Sequence, residues 1–417
     1  MTLPTPANPG PFGHKQRKNF LFDDNFTNYN HGSYGSFPKS VQENLLKWHN
    51  HAELNPDRWV RRELKDALAM VRGQVAEYIN CDVDELVLVQ NTTVGINSVM
   101  RSIEFVPGDR IIQLSTGYGA VNKTIEYICD TKKGVKVVEI QLVHPQTDHE
   151  IVHLIEKTVQ DHLAKKDGSR FRLAMIDWIS SAPAVVLPVK PLTDMLHSYG
   201  ILVCIDAAHA IGQVPMDLRH LNADFVITNC HKWLYSVRGS AVLYVPKKFQ
   251  KDIHPVTITA EYKVGGFHPE FAWVGTLDYA NMLSIEGALA FRAQYGDAAI
   301  MHYCHRLAVE GGQAMAQILG TNVLTTLDHQ IGFQANVRLP IKDINHPKIA
   351  TPEYLIEYQQ DKYNVFAPLY KHGGYFWTRV SAQIYLELSD FVRLGHIMKE
   401  MVEMLNRETE GKGKASL

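Results

Sequence analysis

The chain has 417 residues, with 42 Lys+Arg against 44 Asp+Glu and a net charge of −2. Hydrophobic residues make up 45% and charged residues 21%, the balance of a folded soluble protein with a large core. Near-neutrality excludes a general nucleic-acid or anionic-membrane binder, which carries a strong basic excess, and no apolar run approaches the roughly 18 residues of a membrane span.

Residues 1–20, MTLPTPANPGPFGHKQRKNF, are Pro/Gly-rich and then basic, without the apolar centre of a signal peptide. The cytoplasm is therefore the expected compartment. Next comes the glycine-rich stretch Asn30-His31-Gly32-Ser33-Tyr34-Gly35, whose backbone can approach a ligand closely. The cysteines (Cys81, Cys129, Cys204, Cys230 and Cys304) are scattered, with no C-x-x-C pair. That pattern is neither a disulfide framework nor a zinc site, and no metal is expected.

From residue 84 to about 245, short β-branched runs alternate with helical patterns. Strands are predicted at 86–90, 110–115, 135–142, 173–179, 201–206, 225–228 and 240–245. Helices are predicted between them at 94–104, 121–129, 151–164 and 191–199. Strands this apolar, separated by helices, predict a mostly parallel seven-stranded sheet covered on both faces, an α/β fold. Ligands in such sheets sit beyond the carboxyl ends of the strands. There the sequence reads Asn91-Thr92-Thr93, Thr116-Gly117-Tyr118, Ser180-Ser181, Asp206-Ala207-Ala208-His209 and Thr228-Asn229-Cys230-His231-Lys232.

After about residue 287 the pattern changes. A long helix at 288–319, strands at 332–338 and 376–384, and a helix at 390–406 predict a smaller α+β unit. The expected organisation is a segment 1–40 packing on the small domain, a large α/β domain 41–287 and a small domain 288–417. The C-terminal RETEGKGKASL reads as a frayed polar tail.

Two of the strand ends carry the chemistry. Asp206 closes a buried strand, where a carboxylate is costly unless paired. Lys232 follows the next strand, in a loop where partial burial lowers a lysine pKa and frees the amine as a nucleophile. Pyridoxal phosphate needs this pair, a lysine that tethers its aldehyde and an acid that keeps its ring nitrogen charged. Taken singly, Asp206 has the alternative of a helix N-cap and Lys232 that of a solvated side chain. Together, with His209 and His231 beside them, they point to the cofactor.

The stretch IDAAHAIGQVPMDLRHLNADFVITNCHKWLYSVRGSAVLYV resembles the signature of class V aminotransferases, within the fold-type I pyridoxal-phosphate enzymes. The resemblance extends from Asn30 to about Leu388. It lies nearest the isopenicillin-N-epimerase-like proteins, the cysteine desulfhydrases and the carbon–sulfur lyases of ergothioneine synthesis. It implies that the phosphate is held at Thr92 and Thr93, where a helix begins, with Thr228 and His231 as further ligands. It implies that Thr276, in Gly275-Thr276, reaches the phosphate of a neighbouring subunit, hence a homodimer with shared active sites. Tyr118 would stack on the ring. Ser181, or equally Ser180, would lie near the ring hydroxyl, and His209 would orient Asp206 or the ring. Arg379, in Trp377-Thr378-Arg379-Val380-Ser381, would fork onto the carboxylate of an amino-acid substrate. Asn30, His31, Gly32 and Ser33 would help to hold that substrate. Each position also has an ordinary structural alternative as a cap, a turn or a surface side chain.

The fold does not decide the reaction. Lys232, once displaced by the substrate amine, is the base placed to take the α-proton. Transamination, epimerisation and β-elimination all follow from that loss. A persulfide-forming desulfurase needs a nucleophilic cysteine in its C-terminal part, and no cysteine lies beyond Cys304. The resemblance then implies β-elimination from cysteine, or from an S-substituted cysteine sulfoxide carrying a histidine betaine, giving a sulfur product, pyruvate and ammonia. An epimerase, an aminotransferase or a cofactor-free binding protein are the alternatives. The aromatic-rich segments 267–273 and 370–377 are candidates to hold a trimethylated cation. His254-Pro255 and Glu261 are candidates to line the cavity.

Overall fold

A computed structural model describes residues 12–350, 354 and 356–414. The seven predicted strands form as β1 (Leu86–Val89), β2 (Asp109–Leu114), β3 (Lys136–Ile140), β4 (Arg170–Asp177), β5 (Leu202–Asp206), β6 (Phe225–Asn229) and β7 (Ala241–Tyr244). They make one seven-stranded sheet in the order β1-β7-β6-β5-β4-β2-β3. Pairing is parallel from β3 through β6, and β7 runs antiparallel to β6 and β1.

Alternation along each strand divides the core in two. Ile112, Ala174, Ile176, Val203, Ile205 and Val226 face one apolar cluster. Their neighbours Ile111, Leu173, Met175, Cys204, Phe225 and Ile227 face the other. Each Val, Leu, Ile, Phe or Met among them contributes about 1.5–3 kcal/mol when fully buried, so both faces hold the strand register. That register is what brings the carboxyl ends of β4, β5 and β6 level with one another. The helices at Thr92–Ser102, Gly119–Thr131, Asp148–Leu163 and Val189–Ser198 cover the sheet.

The helix predicted at 288–319 is two helices, Ala280–Tyr295 and Asp297–Leu319. Gly296 breaks them at φ +83, a conformation that an L side chain rarely adopts. The second sheet is antiparallel, in the order β8-β10-β9, from β8 (Gln334–Leu339), β9 (Leu369–His372) and β10 (Tyr375–Ser381). The last helix, Leu388–Lys414, runs past the expected end at 406. Glu410 and Glu408 on it accept from Lys342 and Lys348, each at 2.6 Å. The first part of the expected frayed tail is therefore a paired helix, and residues 415–417 lie outside the described ones.

A third apolar cluster joins the N-terminal residues to the second sheet. Gly13 N–H donates to the Ile384 carbonyl at 2.8 Å, and Phe20 packs edge-on against Tyr385 at 4.7 Å. Trp233 and Tyr235, from the loop after β6, enter the same cluster. The loop that carries Lys232 is thus anchored in both sheets. Among the described residues, no helix is long and apolar enough to cross a membrane.

Candidate active site

The carboxyl ends of β1, β2, β4, β5 and β6 open into one cavity of about 310 Å³. Of the residues predicted from sequence, Ser33, Thr92, Thr93, Tyr118, Ser181, Asp206, His209, His231 and Lys232 line it.

Lys232 Nζ lies 2.9 Å from His209 Nε2. Burial, and then the Arg379 charge, push the lysine pKa down to about 7, against the pull of Asp206. Asp206 is 4% exposed and accepts from Ala208 N–H at 3.0 Å. That bond closes a turn, and no helix starts there, so the capping alternative falls. Burial raises the Asp206 pKa, while the Ala208 amide and Lys232 hold it down. An acid in this position needs a cationic partner to ionise.

Thr92 stands at the end of β1, where the helix Thr92–Ser102 begins. The helix cap is Asn91, whose side chain accepts from Val94 N–H at 2.9 Å. The Thr92 hydroxyl is therefore not needed for capping, and it is buried with no hydrogen-bond partner. Its amide donates to Asn229 Oδ1 at 2.9 Å. An orphaned hydroxyl at a helix start, beside Thr93 and His231, suits an anion. His231 Nδ1 faces the Ser240 carbonyl at 3.4 Å, which leaves Nε2 for a ligand. Tyr118 is 50% exposed at the mouth, free to cover a ring. These residues fit pyridoxal phosphate. Thr92, Thr93 and His231 would hold its phosphate, Asp206 its ring nitrogen and Lys232 its aldehyde, and the group would supply an electron sink when bound.

Arg379, on β10, stands behind this wall. Its guanidinium donates to Ser33 Oγ at 2.8 Å, to Asn30 Oδ1 at 3.3 Å, and to the Ser181 carbonyl and hydroxyl. It is 4% exposed, its Nε has no partner, and it pairs with no carboxylate among the described residues. A buried cation without a counter-charge is costly, and burial lowers its pKa to about 10. A buried guanidinium with no carboxylate beside it among the described residues suits the carboxylate of a ligand. Ser180 donates to the Pro183 carbonyl at 2.6 Å, so of the two serines Ser181 is the one that faces the cavity.

Several expectations need correction. Thr228 does not line the cavity, because its hydroxyl donates to the Ala207 carbonyl at 2.6 Å and accepts from Ile211 N–H at 3.3 Å. His31 is spent between the Tyr385 hydroxyl at 2.9 Å and the Lys232 carbonyl at 2.8 Å. Gly32 N–H donates to Ser381 Oγ at 3.1 Å, and a Cβ there would strike Gln334 and Trp233. Both therefore brace the lysine loop rather than face a ligand. Thr276 needs no such correction, being exposed and outside its own chain's cavity, since the contact expected of it is with a neighbouring subunit. His254 pairs with Glu270 and Glu261 with Lys65, and neither reaches the site. The aromatic segments are also elsewhere. Tyr370 bonds Asn336, Trp377 bonds the His372 carbonyl, and Trp273 stacks on Tyr279. The aromatic rings that do line the cavity are Tyr34 and Tyr118.

Asn229 and Asp177 had no role assigned from the sequence. Asn229 bonds Thr92 from the end of β6. Asp177 ends β4, lines the cavity and pairs in register with Asp206. Its carboxyl is pushed well up by burial and by Asp206. The signal was an acid at the close of an apolar run, as at Asp206.

Comparison with known proteins agrees with this geometry. The family model described as aminotransferase class-V matches residues 35–351. The chain is 32% identical to the L-cysteine desulfhydrase-like protein lolT1 of Epichloe uncinata, over 95% of this chain and 98% of that one. It is 28% identical to the hercynylcysteine sulfoxide lyase of Schizosaccharomyces pombe, over 94% and 98%. Among solved structures, a variant of C-DES with glycine covalently linked to its PLP cofactor superposes with a TM-score of 0.77, at 16% identity, over 92% and 98% of the two chains. That likeness shows the fold, fold type I.

Proposed function

The chain belongs to the aminotransferase class-V family, and on that premise we propose that it is a pyridoxal-phosphate-dependent carbon–sulfur β-lyase acting on an S-substituted cysteine. The substrate carboxylate binds Arg379 through the wall formed by Ser33 and Ser181. The Lys232 amine takes the α-proton, the β-carbon–sulfur bond breaks with its electron pair leaving on sulfur, and the remaining fragment hydrolyses to pyruvate and ammonia.

The observation that carries the lyase reading is a cavity wall without a thiol. None of the cysteines lines it, and Cys230, beside His231, is fully buried with its thiol pushed up by burial. Sulfur transfer to a protein cysteine therefore has no acceptor at this site among the described residues. Relatives whose names carry desulfhydrase and sulfoxide lyase support elimination over transamination or epimerisation. Within that class we favour a cysteine sulfoxide conjugated to a histidine betaine, with free cysteine as the second candidate. Tyr34, an exposed tyrosine on the cavity lining that the cofactor does not need, supports that choice. A second copy of the chain would complete the site through Thr276.

A substrate panel tests this reading. The holoenzyme is given hercynylcysteine sulfoxide, simpler S-substituted cysteine sulfoxides and cysteine, and scored for pyruvate, ammonia and sulfide. Pyruvate, fastest from the betaine conjugate, is expected. Absence of pyruvate from every substrate, with epimerised amino acid or aminated cofactor instead, overturns it.

A further inference from the structure

We infer that Trp233 is a positioning residue, which fixes the tautomer of His209 and so presents Lys232 as a neutral amine. The Trp233 indole Nε1 lies 3.3 Å from His209 Nδ1. An indole nitrogen only donates, so Nδ1 carries the lone pair. In a neutral imidazole the proton then sits on Nε2. Nε2 is the atom 2.9 Å from Lys232 Nζ. Nε2–H donates there and Nζ accepts, which an ammonium cannot do, having no lone pair. The contact is satisfied by the free amine alone.

The groups around the pair agree. Burial, Lys232, Arg379 and His231 all oppose a second proton on His209, and Gln334, from β8, is the group beside it that favours one. Burial and Arg379 oppose a proton on Lys232, and Asp206, from β5, favours one. Both rings are held from behind. The Trp233 carbonyl accepts from Arg292 at 2.8 Å, and its ring meets Phe333 edge-on at 5.6 Å. The His209 carbonyl accepts from Gln213 at 2.6 Å. The two carbonyl bonds fix the backbone that carries each ring, and Phe333 packs against the indole itself.

The consequence is capture of the cofactor. Lys232 spends its nitrogen lone pair on the new bond to the aldehyde carbon. Its two amine protons leave with the aldehyde oxygen as water, and no oxidant or reductant is consumed. The inference rests on the cofactor assignment above, and it is independent of which substrate bond the enzyme cleaves.

Stripped apoprotein is mixed with pyridoxal phosphate, and the visible band of the lysine-bound form is followed against pH. Wild-type capture should rise with pH and level off above about 7. Trp233→Phe keeps the packed ring and loses the donor, so Nε2 is free to accept from an ammonium. Its profile should move up by about one pH unit, with capture at pH 7 about fivefold slower. Phe333→Leu loosens the packing and keeps the donor, and should leave the profile in place. A wild-type profile in Trp233→Phe, or an equal shift in Phe333→Leu, overturns the inference. Nitrogen NMR of histidine-labelled wild-type apoprotein needs no variant. A protonated Nε2 on His209 is expected, and a protonated Nδ1 overturns the inference. Failure of wild-type apoprotein to capture the probe at all would overturn the cofactor assignment, and this inference with it.

Discussion

Asp177 and Asp206 occupy partnered positions on adjacent parallel strands, and both carboxyls face the same cavity. Two buried acids this close cannot both ionise cheaply, and burial with the Asp206 charge pushes the Asp177 carboxyl well up, so Asp177 is the one that keeps its proton. Asp206 is the acid that Lys232 also attracts, and it is the one placed to take a cationic ring nitrogen. Asp177→Asn keeps the shape and the hydrogen-bonding capacity of a protonated acid and should retain the cofactor near neutral pH. Asp206→Asn removes the carboxylate set against a buried cation and should weaken cofactor affinity by about 100-fold, from a loss of roughly 3 kcal/mol. Equilibrium dialysis distinguishes them, and an equal loss in both variants would contradict this division of roles.

Arg379 should act on the substrate and leave the cofactor alone. Arg379→Ala removes a charge-assisted fork that contributes about 1.5–3 kcal/mol per hydrogen bond. The expected result is a fall of about 100-fold or more in kcat/KM, carried mainly by KM, with the cofactor content of the holoenzyme unchanged. Arg379→Lys should restore little, because an ammonium cannot match two carboxylate oxygens. Steady-state kinetics with an unaltered KM in Arg379→Ala would contradict the assignment.

Acid should unfold the apoprotein through buried histidines. Burial holds His31, His144 and His231 at pKa values of about 4, against the ordinary 6.5. Between those limits the unfolded chain binds protons that the folded chain refuses, so stability rises with pH across the window and is lost as pH falls through it. His144 isolates the effect, since neither of its ring nitrogens is hydrogen-bonded. His144→Leu should flatten part of the slope of thermal midpoint against pH between about 4 and 6.5. An unchanged slope would show that these imidazoles are not the proton-linked groups.

Much of this was legible because the sheet is buried on both faces. Apolar runs marked the inner strands, Val137 and Val138 the mostly exposed edge strand β3, and the polar residues that ended the inner runs marked the cavity, with Asp206 and Lys232 at successive ends. Failures came where the answer depended on partners distant in sequence. The Thr228 hydroxyl is consumed by a turn at Ala207, and His31 by Tyr385, and no local pattern reports either bond. Strand β9 is short and half-exposed, so it carries no alternation to read. Gly296 sits within a helical periodicity that continues on both sides, and its positive φ is a property of the fold. The aromatic segments were rich in rings because they pack, and burial there was mistaken for a binding surface. Asp177 was visible but lay inside a run read as strand core.

The most direct test of the central claim is borohydride reduction of the purified protein followed by peptide mass mapping. The account predicts a pyridoxyl group on the peptide carrying Lys232, absent after Lys232→Ala together with the yellow colour. A reduced adduct on any other lysine, or none in a protein loaded with pyridoxal phosphate, would contradict it.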